Sequence, residues 1–127
     1  MNRLKEILER EKRKKPKYGN VKIDSPDGTF DSMKEFNRWQ ELKLLQRAGE
    51  ITGLERQYRF ELIPSQKGDD GKIAERAVVY VADFVYIESR TNRMIVEDVK
   101  AEITKTAEYR IKRKLMLWRY NIRIREV

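Results

Sequence analysis

Apolar residues recur with a helical period in two segments of the chain and alternate with polar residues in most of the others. The helical period predicts a first helix over residues 32–48, with Ser32 as its N-cap and Gly49 as the residue that stops it. A second helix is predicted over residues 104–120. Its expected core stripe consists of Ile111, Leu115 and Trp118. An adjacent stripe of the same helix consists of Lys105, Tyr109, Lys112 and Met116.

Alternation of apolar and polar side chains predicts four strands. The first covers residues 49–64 and the last covers residues 121–127, with Ile122, Ile124 and Glu126 on one face. Residues 78–100 lie between them and predict two strands joined by a tight turn. The order is therefore helix, strand, strand, strand, helix, strand. This order is typical of a single small α/β domain with a mixed sheet.

The hairpin of residues 78–100 carries acids on faces that should be apolar. The residues expected to share one face of its first strand are Val79, Val81, Asp83, Val85 and Ile87. Those expected to share a face of the second are Met94, Val96, Asp98 and Lys100. The turn pairs Ile87 with Met94 and Val85 with Val96, which brings Asp83 opposite Asp98. Two carboxylates roughly 5 Å apart at Cβ destabilise a sheet, so we expect a cation to bind there.

Composition narrows the chemistry. The chain of 127 residues is long enough for one domain with a core. It contains no cysteine, which excludes disulfides and zinc–thiolate sites, and no histidine, which excludes serine and cysteine triads and a histidine base. An enzyme of this composition is expected to use carboxylates, lysine and a hard metal ion. No apolar run could serve as a signal peptide or membrane span, so we expect a cytoplasmic protein that does not bind membranes.

The net charge of +8 is concentrated at the two ends of the chain. Residues 1–22 carry nine basic and three acidic side chains. Residues 105–125 carry eight basic side chains and one acidic side chain. Residues 23–104 carry twelve basic and sixteen acidic side chains. Basic ends around an acidic middle predict a protein that binds a polyanion such as DNA and also a cation.

Residues 1–17 are predicted to form a basic arm or short helix ahead of the domain of residues 18–127. The candidate phosphate contacts of the arm are Lys14, Lys15 and Lys17. The alternative is a solvated charge run that aids solubility.

Asp83, Asp98 and Lys100 form the predicted chemical constellation. Mg²⁺ takes one or two carboxylates together with waters and phosphate oxygens. Lys100 shares the face of Asp98, where it could lower the pKa of an attacking water, orient that water, or offset charge on the transition state. The alternative is a structural ion cluster in which both acids pair with Lys100 and nearby arginines. Glu97 points to the opposite face and is a reserve ligand only if a bulge shifts the register.

Glu35 has two interpretations. It stands three residues after Ser32, as in a capping box, where it stabilises the helix by about 1 kcal/mol or less. It also falls toward the packed side of the helix, where it could point to the sheet as a third metal-site carboxylate. The pattern alone favours the capping interpretation.

An acid on a helix, an aspartate on one strand and Asp-x-Lys on the next resemble the PD-(D/E)XK nuclease superfamily, which is also built on an αβββαβ core. More closely, F-D-S-M-K-E-F-N-R-W, Y-V-A-D-F-V-Y and V-E-D-V-K with I-K-R-K-L-M are similar to a phage-encoded family of small, uncharacterised proteins predicted to be endonucleases. The likeness covers the chain from about Tyr18 to its end. It implies a restriction-endonuclease-like core.

The resemblance also implies roles for individual residues. Glu35 matches the helix acid, Asp83 the strand aspartate, and Asp98 with Lys100 the (D/E)-x-K pair. These three acids are then the expected ligands of Mg²⁺, for which Mn²⁺ should substitute, and the capping preference for Glu35 is overturned. The residues of the second helix expected to contact nucleic acid are Lys105, Tyr109 and Lys112. One departure is that Ala82, not proline, precedes Asp83.

The expected function is that of a Mg²⁺-dependent DNA endonuclease serving phage replication, recombination or packaging in the host cytoplasm. One alternative is a structure-selective resolvase of Holliday junctions or flaps, which favours a homodimer with two paired active sites. A second alternative is a non-catalytic nucleic-acid-binding protein that uses the basic arm and the second helix.

Overall fold

The computed structural model describes residues 21–100 and 105–127. The predicted arm and its three candidate phosphate contacts, Lys14, Lys15 and Lys17, lie outside the described residues. The chain divides between Gln40 and Glu41 into two compact units.

The described part of the first unit begins with a hairpin of β1 (Ile23–Ser25) and β2 (Gly28–Phe30), which pair antiparallel. Gly28 follows the turn with φ of 115°, a conformation that residues with a side chain rarely adopt. Phe30 is fully buried, and its ring packs edge-on against Phe36 with the ring centroids 5.4 Å apart.

The first helix, α1 (Met33–Arg47), confirms the predicted segment. The Oγ of Ser32 accepts a hydrogen bond from the Glu35 amide at 3.1 Å, so Ser32 caps the helix as expected. Gly49, with φ of 82°, ends it in the left-handed conformation typical of helix C-termini.

The second unit is built around a mixed sheet of four strands. Its elements after α1 are β3 (Ile51–Ile63), β4 (Gln66–Lys67), β5 (Ile73–Glu75), β6 (Val78–Glu88), β7 (Arg93–Asp98), α2 (Ala107–Tyr120) and β8 (Arg125–Glu126). The sheet order is β3-β6-β7-β8, with β7 and β8 parallel and the other pairs antiparallel, while β4 and β5 form a separate ribbon. The predicted α/β class with a mixed sheet is confirmed. Neither described helix is long and apolar enough to cross a membrane.

The predicted register of the β6–β7 hairpin is also confirmed. Ile87 pairs with Met94 and Val85 with Val96. The last pair before Asp83 is Phe84 with Glu97, and the register between the two strands does not shift along these pairs.

The face predicted for β6 is wrong in the first half of the strand. The core contains Tyr80 and Ala82 but also Val85, so the inward positions change from even to odd along the strand. Val81, predicted to point inward, is 44% exposed. The change lies opposite Gln57 of β3, which has φ of 51° and interrupts the pairing of the two strands. A residue in this left-handed conformation breaks the pleat, so the alternation restarts beyond it.

The core stripe predicted for α2 is wrong as well. Ile111 is 59% exposed and Trp118 is 79% exposed, whereas Tyr109 and Met116 are buried. The stripe predicted to lie beside the core therefore faces it, and Leu115 packs at its margin. The Tyr109 stripe also contains Lys105 and Lys112, so only its aromatic ring and its thioether are buried, and these two side chains fill the space over the sheet.

The core of the second unit joins β3, β6 and β7 to α2 and to the segment that enters β8. Its buried members are Phe60, Leu62, Tyr80, Ala82, Val85, Val96, Tyr109, Met116 and Ile124. Ile122 and Ile124 lie toward this core as predicted, although the strand that follows them spans only Arg125–Glu126.

Candidate active site

Asp98 is the last residue of β7, and it is buried with only 6% of its surface exposed. The Tyr80 hydroxyl donates to its Oδ2 at 2.6 Å. The Lys100 Nζ lies 3.1 Å from its Oδ1. Both oxygens of this carboxylate therefore have a donor, which is the condition for keeping a charge in a protein interior.

Asp83 lies one step beyond the last paired residues of the β6–β7 hairpin. Its Oδ2 accepts a hydrogen bond from the Val99 amide at 2.8 Å. The carboxylate thus binds the first backbone amide that follows β7. Asp83 and Asp98 continue the predicted register, and each has its own donors rather than facing the other unpartnered.

Lys100 is held by an aromatic ring as well as by Asp98. Its Nζ lies 3.7 Å from the centroid of the Tyr109 ring. A cation over an aromatic face gains about 0.5–2 kcal/mol, the larger values applying where water is excluded. Among the described residues, the buried hydroxyl of Tyr109 has no hydrogen-bond partner. Tyr109, predicted to contact nucleic acid, therefore lies under Lys100 with little of its surface exposed.

The two tyrosines are electrostatically linked to both aspartates. Burial raises the pKa of Tyr80, and the charge of Asp98 and its hydrogen bond raise the pKa further. Burial also raises the pKa of Tyr109, followed by the charges of Asp98 and Glu126. Asp83 contributes to both shifts. Tyr80 therefore stays protonated and remains a hydrogen-bond donor to Asp98 across the ordinary pH range.

Glu126 adds a third acid near this region, opposite Asp98 in the parallel β7–β8 pairing. Its Oε2 lies 3.0 Å from the Lys105 Nζ and its Oε1 3.0 Å from the Arg113 guanidinium. Burial acts to raise the pKa of Glu126, but the hydrogen bonds and charges of Lys105 and Arg113 outweigh it, so the pKa is lowered overall. The predicted phosphate contact Lys105 is thus paired with an acid of its own chain.

Lys112, the remaining predicted contact of α2, is paired in a similar way. Its Nζ lies 2.9 Å from the Glu108 carboxylate, one helical turn earlier. Glu108 is largely exposed, so this pair is weak and can be exchanged for a contact to another anion.

Glu35 adopts the capping arrangement. Its Oε2 accepts a hydrogen bond from the Asp31 amide at 3.3 Å while its own amide donates to Ser32. The side chain is buried, with 3% of its surface exposed. Glu35 belongs to the first compact unit, whereas Asp83 and Asp98 belong to the second. Its role as a metal ligand stays a prediction.

Glu97 lies on the opposite face of β7 from Asp98 and is fully buried. The Tyr86 hydroxyl donates to its Oε2, and the Arg125 guanidinium lies 3.4 Å from the same hydroxyl. Because no bulge shifts the β6–β7 register, the condition under which Glu97 would join Asp98 is not met.

The carboxylates of this site are suitable ligands for a hard cation. Asp83 and Asp98 supply carboxylate oxygens, which are the ligands that hard cations prefer. Within residues 21–100 and 105–127, no three acidic, histidine or cysteine side chains gather as a metal cage. Mg²⁺ does not need such a cage, since it is commonly held by one or two carboxylates with waters and phosphate oxygens.

Sequence reasoning did not assign Tyr80 and Glu126 to this region. Period-2 alternation put Tyr80 on the wrong face, because the irregularity at Gln57 is not visible in the pattern. One signal was available: a tyrosine within an apolar strand needs a partner for its hydroxyl when buried. Glu126 was expected on the face of Ile122 and Ile124. Its contacts with Lys105 and Arg113 depend on how the chain folds, and the alternation pattern does not show them.

Residues 15–126 match the model of a family described as Protein of unknown function (DUF1064). The chain belongs to this family. The match covers both helices and the whole central sheet, so Asp83, Asp98 and Lys100 all lie within the DUF1064 segment. No curated protein matches the chain, and no solved structure matches it. The description of DUF1064 names no activity, and the resemblance to PD-(D/E)XK nucleases stays a prediction.

Proposed function

We propose that this protein is a Mg²⁺-dependent endonuclease that hydrolyses phosphodiester bonds in DNA. The observation that carries the proposal is the cluster in which the buried carboxylate of Asp98 contacts Lys100, with Asp83 one register step away. Two carboxylates and an ammonium at the end of a strand are the groups that metal-assisted hydrolysis of a phosphodiester requires.

The order of elements supports the same proposal. With the short strands β1, β2, β4 and β5 set aside, the remaining elements are α1, β3, β6, β7, α2 and β8, which is the αβββαβ order of the PD-(D/E)XK core, with a mixed sheet. The resemblance puts an aspartate on one strand and the Asp-x-Lys pair on the next, and these strands are here β6 with Asp83 and β7 with Asp98. A restriction-endonuclease-like core is therefore part of the proposal.

Each residue of the cluster has a distinct task in the proposed reaction. Asp83 and Asp98 would hold Mg²⁺, which when bound polarises a phosphate oxygen and favours ionisation of a bound water. Tyr80 keeps Asp98 oriented through its hydroxyl. Lys100 faces the reacting phosphate with a fixed positive charge, and the ring of Tyr109 restricts its position.

The first experiment measures nicking and linearisation of supercoiled plasmid DNA by the full chain with Mg²⁺, Mn²⁺ or EDTA. We expect cleavage with either metal and none with EDTA. Asp83→Asn and Lys100→Met keep the side-chain shapes and should lower the rate about 10²-fold or more, as expected for loss of a catalytic group.

The matched controls are Asp69→Asn and Lys72→Met, which make the same changes in the exposed loop between β4 and β5. They should leave the rate unchanged. Cleavage in EDTA, or full activity of both site variants, would refute the assignment of the site.

One observation favours a non-catalytic nucleic-acid-binding protein instead. The direct contact between Asp98 and Lys100 is also what a structural ion pair would form. A protein of that kind should bind DNA equally well with and without divalent metal, and Asp83→Asn should not alter binding. A DNA-binding titration in Mg²⁺, Ca²⁺ and EDTA, carried out on wild type and Asp83→Asn, separates the two functions.

A further inference from the structure

A basic groove lies beside α2 and extends from Arg93, at the start of β7, to Arg125 of β8. It consists of two cavities of about 340 Å³ and 260 Å³ that share Leu117 and Arg123 in their walls. The cationic residues that line the groove are Arg93, Arg113, Lys114, Arg123 and Arg125. None of the described residues lining it is acidic. We call this surface the arginine groove.

The arginines of the larger cavity are poorly neutralised by the protein. Among the residues that the structure describes, neither Arg93 nor Arg123 is paired with a carboxylate. In the described part of the chain, the Arg125 guanidinium makes one hydrogen bond, to the Tyr86 hydroxyl at 3.4 Å. The C-terminus of α2 is close by, but a helix end contributes only about half a negative charge. The Tyr86 hydroxyl that Arg125 contacts also donates to the buried Glu97 carboxylate, which adds one negative charge nearby. Three guanidinium charges outweigh this carboxylate and the helix end together, so the cavity favours an anion.

The groove begins far from the candidate active site and reaches its margin, because Arg125 pairs with Glu97 beside Asp98 and Arg113 contacts Glu126. Arg93 begins β7 and Asp98 ends it, which at about 3.3 Å per residue places them roughly 17 Å apart. Along α2, the groove runs from Arg113 to Asn121, a rise of about 12 Å. One strand of a duplex carries a phosphate about every 3.4 Å of axis, so a groove of this length can contact about three phosphates.

The chemistry of the lining favours backbone contacts over base contacts. Guanidinium groups bind phosphate oxygens in a bidentate manner. The uncharged part of the wall is mainly aliphatic, with Met94, Ile95 and Leu117, and none of the described residues that line it has an aromatic ring on which a base could stack. Such a surface fixes the position of a nucleic acid without reading its sequence.

We propose that the arginine groove binds the phosphodiester backbone of DNA on one side of the bond that is cleaved. The inference rests on the proposed function in that the bound polyanion is taken to be the substrate. It extends that function by assigning a second contact region, which would hold the DNA while the cluster at Asp98 acts on it.

The test measures binding of a short fluorescent DNA duplex to the full chain in EDTA, over a range of salt concentrations. The groove variant is Arg93→Gln/Arg123→Gln/Arg125→Gln. Each phosphate contact contributes about 0.9 to the slope of log affinity against log salt, so the slope should become shallower by about 3. Arg123→Gln alone, which removes no described hydrogen bond, should lower it by about 1 and guards against a folding defect in the triple variant.

The matched control is Lys67→Gln/Lys72→Gln/Arg76→Gln, which removes three exposed charges on and beside the β4–β5 ribbon. Its slope should change by less than about 1. Equal slopes for the groove and control variants would overturn the inference, as would the absence of DNA binding. Groove-dependent binding of polyglutamate without binding of DNA would also overturn it and would indicate an acidic protein partner.

A plasmid cleavage assay on the same variants keeps this inference separate from the proposed function. Groove-dependent DNA binding without cleavage in any metal supports the groove and refutes the nuclease. Cleavage by wild type, with unchanged salt slope and rate in the groove variant, refutes the groove and leaves the nuclease standing.

Discussion

Glu97 and Asp98 are adjacent acids on β7. They are buried and hydrogen-bonded in similar ways, but they have different neighbours. Both are buried, and both accept a hydrogen bond from a tyrosine of β6, Tyr86 for Glu97 and Tyr80 for Asp98. The alternation of the strand sends them to opposite faces of the sheet. Asp98 shares its region with a second aspartate and a lysine, whereas Glu97 lies opposite an arginine in the β7–β8 pairing.

An acid can be stabilised in the protein interior without taking part in catalysis. A hydrogen bond to a charged group contributes about 1.5–3 kcal/mol, so a buried tyrosine can maintain a carboxylate on either face. Burial of an acid is therefore not sufficient to mark a site. The candidate chemistry depends on the groups that share the face of Asp98, namely Asp83, Lys100 and the ring of Tyr109.

The largest expected effect distinguishes the two acids by activity. Asp98→Asn should lower the plasmid cleavage rate about 10²-fold or more, because it removes a carboxylate from the proposed metal site. Glu97→Gln removes the same charge one residue away and should leave the rate close to that of wild type. Both rates are measured in Mg²⁺ after circular dichroism has established folding. The reverse ranking would move the active site to the other face of the sheet.

The next effect concerns stability, where the two faces should behave alike. Tyr80→Phe and Tyr86→Phe each remove the hydroxyl that donates to a buried carboxylate, and each should lower the free energy of unfolding by about 1.5–3 kcal/mol. Urea denaturation measures this. Only Tyr80→Phe should also reduce cleavage. Loss of stability in one variant alone would show that the two acids are not held in equivalent ways.

The smallest expected effect is a pH dependence on the Asp98 side, where Glu126 lies across from Asp98. The lowered pKa of Glu126 means that its ion pairs stabilise the fold above the ordinary glutamate pKa of about 4.3 and that this contribution is lost as pH falls through the folded-state value. Glu126→Gln should therefore cost about 1 kcal/mol or less at pH 7. The difference from wild type should shrink in urea melts as the pH is lowered below the ordinary glutamate pKa. A difference that persists at low pH would mean that packing, not charge, accounts for it.

The local signals in the sequence were sufficient for the first helix and for the hairpin. Ser32 and Gly49 bound α1 because caps depend on the residues at the helix ends. The pairing of Val85 with Val96 was predicted because hairpin register depends on the turn and on alternation within a few residues. The alternation of side chains along a strand likewise predicts that Asp98 and Lys100 lie together at the end of β7.

Two other expectations failed for reasons that lie outside any local window. Alternation in β6 changes phase opposite Gln57, a residue of another strand with a left-handed backbone. The rotation of α2 depends on packing against the sheet, which buries Tyr109 and Met116 and leaves the more apolar stripe of Ile111 and Trp118 exposed. These two choices together bring Tyr80 and Tyr109 beside Asp98 and Lys100.

The sequence by itself determined the class of fold, the hairpin register and the residue types available for chemistry, because these depend on periodicity, turns and composition. Only the tertiary structure decided which donors reach Asp98, why Lys100 lies over an aromatic ring, and that Arg93 and Arg123 meet in one groove. Those contacts join residues far apart in the chain, and packing between elements selects them.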